Sequence, residues 1–326
     1  MKTLSKKERV RTQAEAAEAL QQSLWRIRLR LWKKTFLKNW RIFKESRIGV
    51  IGLVIIVFFG LFGTAYPLLM GTVWDPLIYD PVTGYSFGEV LQPAPPSTRH
   101  LLGTDPLGRD VFSQVMYSTG REFLLGILAA VITVSIGTII GSVAAYYGGF
   151  VDTFFMRLAD VVILFPFIAF LIILSALMDL TLVKFALVLG LISGFGGITI
   201  ILKSQALSIK VKPYIEAARV AGGSPFHIIF THIIPNILPL SFLYMMFTVT
   251  GAIFSEAILS FFGLLNIRMS WGIIIHTTEA TGYLVNLGSF WWLWLPPGLA
   301  ITMLCAAFYL VGRGLDEVVN PRLRKR

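Results

Sequence analysis

Glu216, Ala217 and Ala218, with Gly222 after three intervening residues and Gly223 next to it, are the residues of this chain most specific for a task. They lie in a polar stretch, residues 203–232, whose punctuation is unusually explicit. Pro213 suits the first turn of a helix, where a missing N–H costs nothing. Tyr214 and the residues up to Ala221 then read as a short helix, with Glu216 in its first turn favouring the dipole. Gly222 and Gly223 supply the stop. Ser224 can cap a second helix that begins at Pro225, and Pro235 and Pro239 mark the start of the next apolar stretch. The chemistry here is mechanical. A short rigid helix held between two fixed segments suits docking into a groove of a partner, so that movement of the partner tilts both neighbours.

Other residues carry chemistry of different kinds. Glu256 is the one carboxylate deep in an apolar stretch, and such acids are functional candidates by default; it lines the pathway or binds a cation from substrate, or it bonds to a neighbouring helix near the outer end of its span and shapes the gate region. Gly103, Thr104 and Asp105, followed by Gly108, Arg109 and Asp110, have the types of a tight turn before a helix, or of a contact with an external partner. His100, His227, His232 and His276 show neither HExxH spacing nor a cysteine partner, so no metal site is expected. Serines are many, but no GxSxG elbow appears, and catalysis is not expected. Cys305 is alone, so no disulfide forms within the chain.

The elements that must position these residues are membrane spans. Mean hydropathy is +0.72, and only 14% of the 326 residues are charged, against about 25% in soluble domains. Charge-free runs cover residues 48–70, 123–151, 161–178, 185–202, 233–255 and 280–312. About 20 apolar residues cross a bilayer as a helix. The expectation is an all-α polytopic membrane protein with six transmembrane helices.

Charge distribution gives the orientation. With both termini inside, 24 of the 29 basic residues fall on the cytoplasmic side, whereas the acids divide 9 inside and 8 outside. A bias in Lys and Arg alone is the positive-inside pattern, and it argues against nucleic acid as the reason for the net charge of +11. Residues 1–47 form a basic cytoplasmic segment without the apolar core of a signal peptide, so span 48–70 is expected to act as the anchor. Within it Trp25, Leu29, Trp32, Phe36, Trp40 and Phe43 share one helical face, which fits an interfacial helix resting on membrane lipids.

Residues 71–120 read as an external Pro/Gly-rich loop, 121–312 as a five-helix core containing loop 203–232, and 313–326 as a basic cytoplasmic tail. Gly137 and Gly141 permit close helix approach. Trp271, Trp291, Trp292 and Trp294 read as an aromatic belt.

Glu216-Ala217-Ala218, Gly222 and then Ile234-Pro235 resemble the "EAA" loop of ABC importer permeases. Gly103-Thr104-Asp105 with Gly108-Arg109-Asp110 resembles the GTDxxGRD signature of the oligopeptide/dipeptide/nickel subfamily, as do Tyr147-Gly148-Gly149 with Asp152, Met156-Arg157-Leu158-Ala159-Asp160, Ser255-Glu256-Ala257 and Asn320-Pro321-Arg322-Leu323-Arg324. The extra first span and long outer loop are similar to its C-type subunit. The resemblance implies a type I importer core in a prokaryotic inner membrane and a coupling helix around Tyr214, Glu216, Ala217, Ala218, Gly222, Gly223 and Ser224. It also implies a homologous second permease, one or two ABC ATPase subunits and a periplasmic or extracellular solute-binding protein. No GxxxxGK[ST] loop is present, so ATP and Mg would be bound by the ATPase subunits and no cofactor by this chain.

The resemblance implies peptides or related solutes as cargo, with oligosaccharides or nickel complexes as alternatives. A stand-alone secondary transporter would carry ionisable residues or broken helices in several spans, and only Glu256 qualifies. A membrane scaffold gives no reason for the two-helix loop.

Overall fold

Asp110 starts the longest element of the protein. Its side chain accepts from the amide of Ser113 at 2.6 Å, the N-cap arrangement that satisfies an orphan donor of a first turn, and 37 helical residues follow. The computed structural model describes residues 30–31, 33–34, 36–88 and 91–319. Among them the regular elements are helical, apart from one isolated antiparallel bridge between Thr104 and Asp110.

In chain order the helices are α1 (Arg47–Thr72), α2 (Pro76–Tyr79), α3 (Val111–Tyr147), α4 (Gly149–Leu164), α5 (Phe167–Leu177), α6 (Leu182–Phe195) and α7 (Gly197–Lys210). Then come α8 (Pro213–Val220), α9 (Pro225–Ile228), a π-helical turn (Ile229–Ile233), α10 (Ile234–Phe261), α11 (Trp271–Ala280), a 3-10 turn (Tyr283–Asn286) and α12 (Trp291–Val319). α3 is central, packed against α1, α6, α7 and α10, while α12 lies between α1 and α10.

Four helical stretches are long and apolar enough to cross a membrane: α1, α3, residues 225–261 and α12. The remaining two apolar runs are bent pairs, α4 with α5 at 82° and α6 with α7 at 44°, so the count rises to six if each pair is one span. Both breaks have local causes. Pro166 cannot donate a helical bond and disfavours helical backbone at the residue before it, and Phe165 is extended. Gly196 interrupts the second pair with an extended ψ of −138°.

Helix ends differ from the hydropathy runs wherever a cap outweighs a charge. α3 begins at Val111, ahead of the apolar run starting at residue 123. The run 280–312 spans the end of α11, a turn at Gly282 with φ +81°, and then α12, which continues to Val319. Pro235 and Pro239 do not stop the helix either. The π turn before them shifts the backbone bonding pattern where proline lacks its N–H.

The core has three parts. The largest joins α1, α3, α10, α11 and α12 around Trp271, Phe59, Val115 and Leu293. A second lies between α3, α5, α6 and the C-terminal half of α10. The smallest sits beneath residues 203–232.

The expected aromatic belt needs correction. Trp271 is fully buried and donates its indole N–H to the Val115 carbonyl at 3.2 Å, and Trp292, also buried, donates to Thr104 at 3.3 Å. Both fill the bundle because each indole finds an internal acceptor. Trp291 remains exposed. Of the expected interfacial helix, residues 30–31, 33–34 and 36–45 are helical, with Phe36 and Trp40 exposed and Phe43 buried; its earlier residues lie outside the described ones.

Gly137 and Gly141 set the spacing of α3 and α7. A Cβ on Gly137 would meet Ile198 at 3.0 Å.

Candidate functional site

The loop at 203–232 is built around a complete helix stop. α8 begins with Pro213 at its first position. After Ala221, Gly222 takes φ +83°, its amide bonds to the Arg219 carbonyl at 3.0 Å, and the Gly223 amide bonds to Ala218 at 2.9 Å. This pair of bonds is the Schellman motif, which needs a left-handed residue at the first glycine. Ser224 then caps α9 by accepting from the His227 amide at 3.2 Å. The two short helices are thus locked by capping bonds within the sixteen residues from Pro213 to Ile228.

One side of this unit is fixed and the other free. Ile215, Ile228, Ile229 and Ile233 are buried with Ala145 of α3 and Ala206 and Ile209 of α7. Lys210 donates to the Ala145 carbonyl at 2.9 Å, near the end of α3, where a cation also meets the negative end of the dipole. The Arg219 guanidinium lies over the Tyr146 ring at 6.0 Å and pairs with Glu216 at 2.8 Å. That ion pair is largely exposed and contributes little on its own. Tyr214, Glu216, Ala217, Gly222 and Ser224 face outward, Ala218 and Gly223 are half-buried, and Val220 and Phe226 are strongly exposed. A surface of small, apolar and polar side chains is therefore presented by a unit that is bolted to the C-terminal ends of α3 and α7.

Nearby, Lys203 of α7 pairs with Asp152 of α4, and Arg157 pairs with Asp160 at 3.2 Å.

The signature residues at 103–110 form a different structure at the start of α3. Asp105 accepts from the amides of Leu107 and Arg109, each at 2.9 Å, from Arg109 Nε at 2.7 Å and Nη2 at 2.5 Å, and from Gln114 at 3.0 Å. Asp105 and Arg109 are both buried, and five bonds on one carboxylate repay its desolvation. Gly103 and Gly108 supply positive φ. The Thr104 hydroxyl accepts from the Ala94 amide at 2.7 Å and meets Gln92.

Asp110 caps α3 and also meets His100 Nδ1 at 2.8 Å, while His100 Nε2 meets the Ser86 hydroxyl at 2.9 Å. The order Ser–His–Asp resembles a hydrolase triad, yet Ser86 is 0% exposed, so no substrate reaches it. These residues hold the segment that precedes α3 to its first turn. Asp80, in the same segment, is opposed by burial, but the amides of Thr83 and Val82 and the Thr83 hydroxyl hold its carboxyl below the usual carboxylate range.

Glu256 is buried, as expected of it, and accepts from Ser260 at 2.5 Å. Its other neighbour, Glu122 of α3, was not singled out in the sequence, because Arg121 and Glu122 stand at the edge of the external loop when charges alone mark boundaries. The available signal was Gln114, Ser118 and Glu122 at helical spacing behind the Asp110 cap.

Between α3, α5, α6 and α10 lies a cavity of about 320 Å³ bordered by Phe167, Ser193, Tyr244, Phe247, Thr248 and Ser255. Its wall is mostly apolar, with aromatic rings and hydroxyls beside Ala129, Leu189 and Ile198, and it carries no charged side chain.

Comparison with known proteins accords with the geometry. Residues 137–325 match the family model described as "Binding-protein-dependent transport system inner membrane component". The dipeptide transport system permease protein DppC of Bacillus subtilis is 33% identical over 289 residues, covering 88% of this chain and 85% of the relative. The oligopeptide transport system permease protein OppC of the same organism is 32% identical over 305 residues, covering 91% and 92%. A putative peptide transport system permease protein of Brucella suis is 38% identical over 234 residues, covering 71% and 76%.

Proposed function

The chain belongs to the binding-protein-dependent transport inner-membrane component family, as an ABC importer permease of the peptide subfamily, and from that premise we propose that it forms half of a pathway for peptides or related solutes, driven by a separate ATPase through α8. It is a multi-pass membrane protein of a transporter and a permease subunit, not an enzyme. In this reading both termini are cytoplasmic, bent pairs α4–α5 and α6–α7 each count as one span, and the second half of the pathway is a homologous permease. A solute-binding protein delivers cargo from outside. ATP and Mg²⁺ are bound by the ATPase subunits.

One observation carries the reading: α8 opens on Pro213, ends in the Gly222–Gly223 stop, faces outward along Tyr214, Ala217 and Val220, and is joined by a private apolar core to α3 and α7. Force applied to that surface is delivered to two helices that pack along the whole bundle. The cavity walled by Tyr244, Phe247 and Ser255 is our candidate for this subunit's share of the pathway. Its rings and hydroxyls offer stacking and hydrogen bonds without selecting charge, which suits cargo of varied side chains.

The test is ATP-dependent peptide uptake into proteoliposomes containing the whole importer, measured beside subunit assembly. Glu216→Ala and Gly222→Ala should depress uptake while the second permease still co-purifies. Full uptake by a double variant would refute coupling through this loop.

A further inference from the structure

α3 and α10 bring two carboxyl groups face to face inside the bundle. Glu122 lies about three turns into α3, Glu256 lies near the outer end of α10, and each is 1% exposed. The two side chains approach within hydrogen-bonding reach of one another. Glu256 Oε1 accepts from Ser260, and Ser270, the N-cap of α11, reaches the same carboxyl. The Oε2 atom of each glutamate has no donor. Acceptor therefore meets acceptor with nothing donating between them.

The neighbouring charges do not balance the pair. Arg121 is within electrostatic range of both acids, but its Nη1 donates to the Tyr117 hydroxyl at 2.7 Å, its guanidinium lies over the Tyr117 ring, and its Nε is unpartnered. Cys305 of α12 is the other titratable group near Glu122. Two carboxylates and one guanidinium leave a single negative charge in a site closed to solvent, and an uncompensated buried ion is among the most costly features a fold can hold.

Two further unpartnered oxygens lie on the same face of α3, toward its start. Ser118 and Gln114 precede Glu122 by four and eight residues, so all three share one face of α3. Both are 0% exposed, and Ser118 Oγ and Gln114 Oε1 have no partner. The unpartnered atoms of Gln114, Ser118 and Glu122 are oxygens, the ligands hard cations prefer. A divalent ion would overshoot the charge deficit, whereas a monovalent one cancels it.

We propose that Glu122 and Glu256 form a binding site for one monovalent cation, a proton or Na⁺, held between α3 and α10. ATP-driven import does not call for such a site, and its test needs no uptake measurement. The full-length chain in lipid nanodiscs is melted in NaCl and in choline chloride at equal ionic strength, and its infrared spectrum is recorded at neutral pH. A saturable, Na⁺-specific rise in melting temperature, lost in Glu122→Gln and Glu256→Gln, identifies Na⁺. No Na⁺ response, together with a carboxylic-acid C=O band that shifts in D2O and disappears in either variant, identifies the proton. Each amide leaves one carboxylate balanced by Arg121, so the single variants should fold. If they do not, carbodiimide labelling of the wild-type chain decides: modification mapped to Glu122 or Glu256 supports the site, with suppression by Na⁺ assigning that ion. A wild-type chain with no Na⁺ response, no acid band and no labelling at either residue overturns the proposal.

Discussion

A Cβ placed on Gly141 would lie 2.8 Å from the backbone nitrogen of Lys203. Here α3 and α7 touch backbone to backbone, so no side-chain rotation can relieve a larger residue. Gly141→Ala should cost about 1–3 kcal/mol, the usual range for overpacking, and lower the melting temperature in detergent. Gly60→Ala in α1 meets nothing within 4 Å and should be neutral, or stabilising by up to about 1 kcal/mol from helix propensity. Equal melting of the two variants would refute the close approach.

Removing Arg109 leaves Asp105 buried without its main counter-charge. Arg109→Ala should destabilise by about 3–5 kcal/mol. Arg109→Lys should restore only part of this, because an ammonium cannot reproduce the two-nitrogen grip on Asp105. Thermal melting and limited proteolysis of residues 91–110 provide the readout. An alanine variant as resistant as the wild type would show that the pair is dispensable.

Gly222 is required for its left-handed backbone, not for space, since a Cβ there meets nothing within 4 Å. Gly222→Ala should cost about 1–2 kcal/mol and accelerate hydrogen exchange across residues 213–228. Gly222→Asn should be milder, because asparagine visits that region more readily. Identical exchange in all three chains would argue against the Schellman stop.

Acid should loosen the turn at Asp80 late. Its folded carboxyl titrates below its ordinary value, so the stabilisation is fully present above the unfolded pKa and is lost only as pH falls through the depressed folded one. Amide exchange at Val82 and Thr83, followed by mass spectrometry, should stay slow down to the normal carboxylate range and quicken below it. Asp80→Asn should abolish that step. A turn that opens well above the carboxylate range would contradict the assignment.

Some of this architecture is legible in the sequence because it is written in local chemistry. Pro213, Glu216, Gly222, Gly223 and Ser224 act on their own backbone, and the structure places each where its capping role requires. Asp110 signals a helix start just as clearly, yet Arg121 and Glu122 hide the length of α3 from any reading that treats charge as the edge of a span. Burial opposite α10 is a tertiary fact with no local mark. Trp271 and Trp292 mislead for the same reason. An indole at a boundary and an indole donating to a distant carbonyl have one spelling, and only the fold supplies Val115 or Thr104 as acceptor. The 82° elbow at Pro166 was latent in one residue, but its angle depends on what packs around it.

The isoleucines beneath α8 have a thermodynamic consequence. Ile215, Ile228 and Ile233 share their apolar contacts with Ala145 and Ala206, so this segment cannot melt alone without exposing the C-terminal ends of α3 and α7. Protection against exchange should rise and fall across all three together, as a single cooperative foldon. A substitution at Ile215 would then loosen residues 140–147 as strongly as its own neighbours, though some seventy positions of sequence separate them.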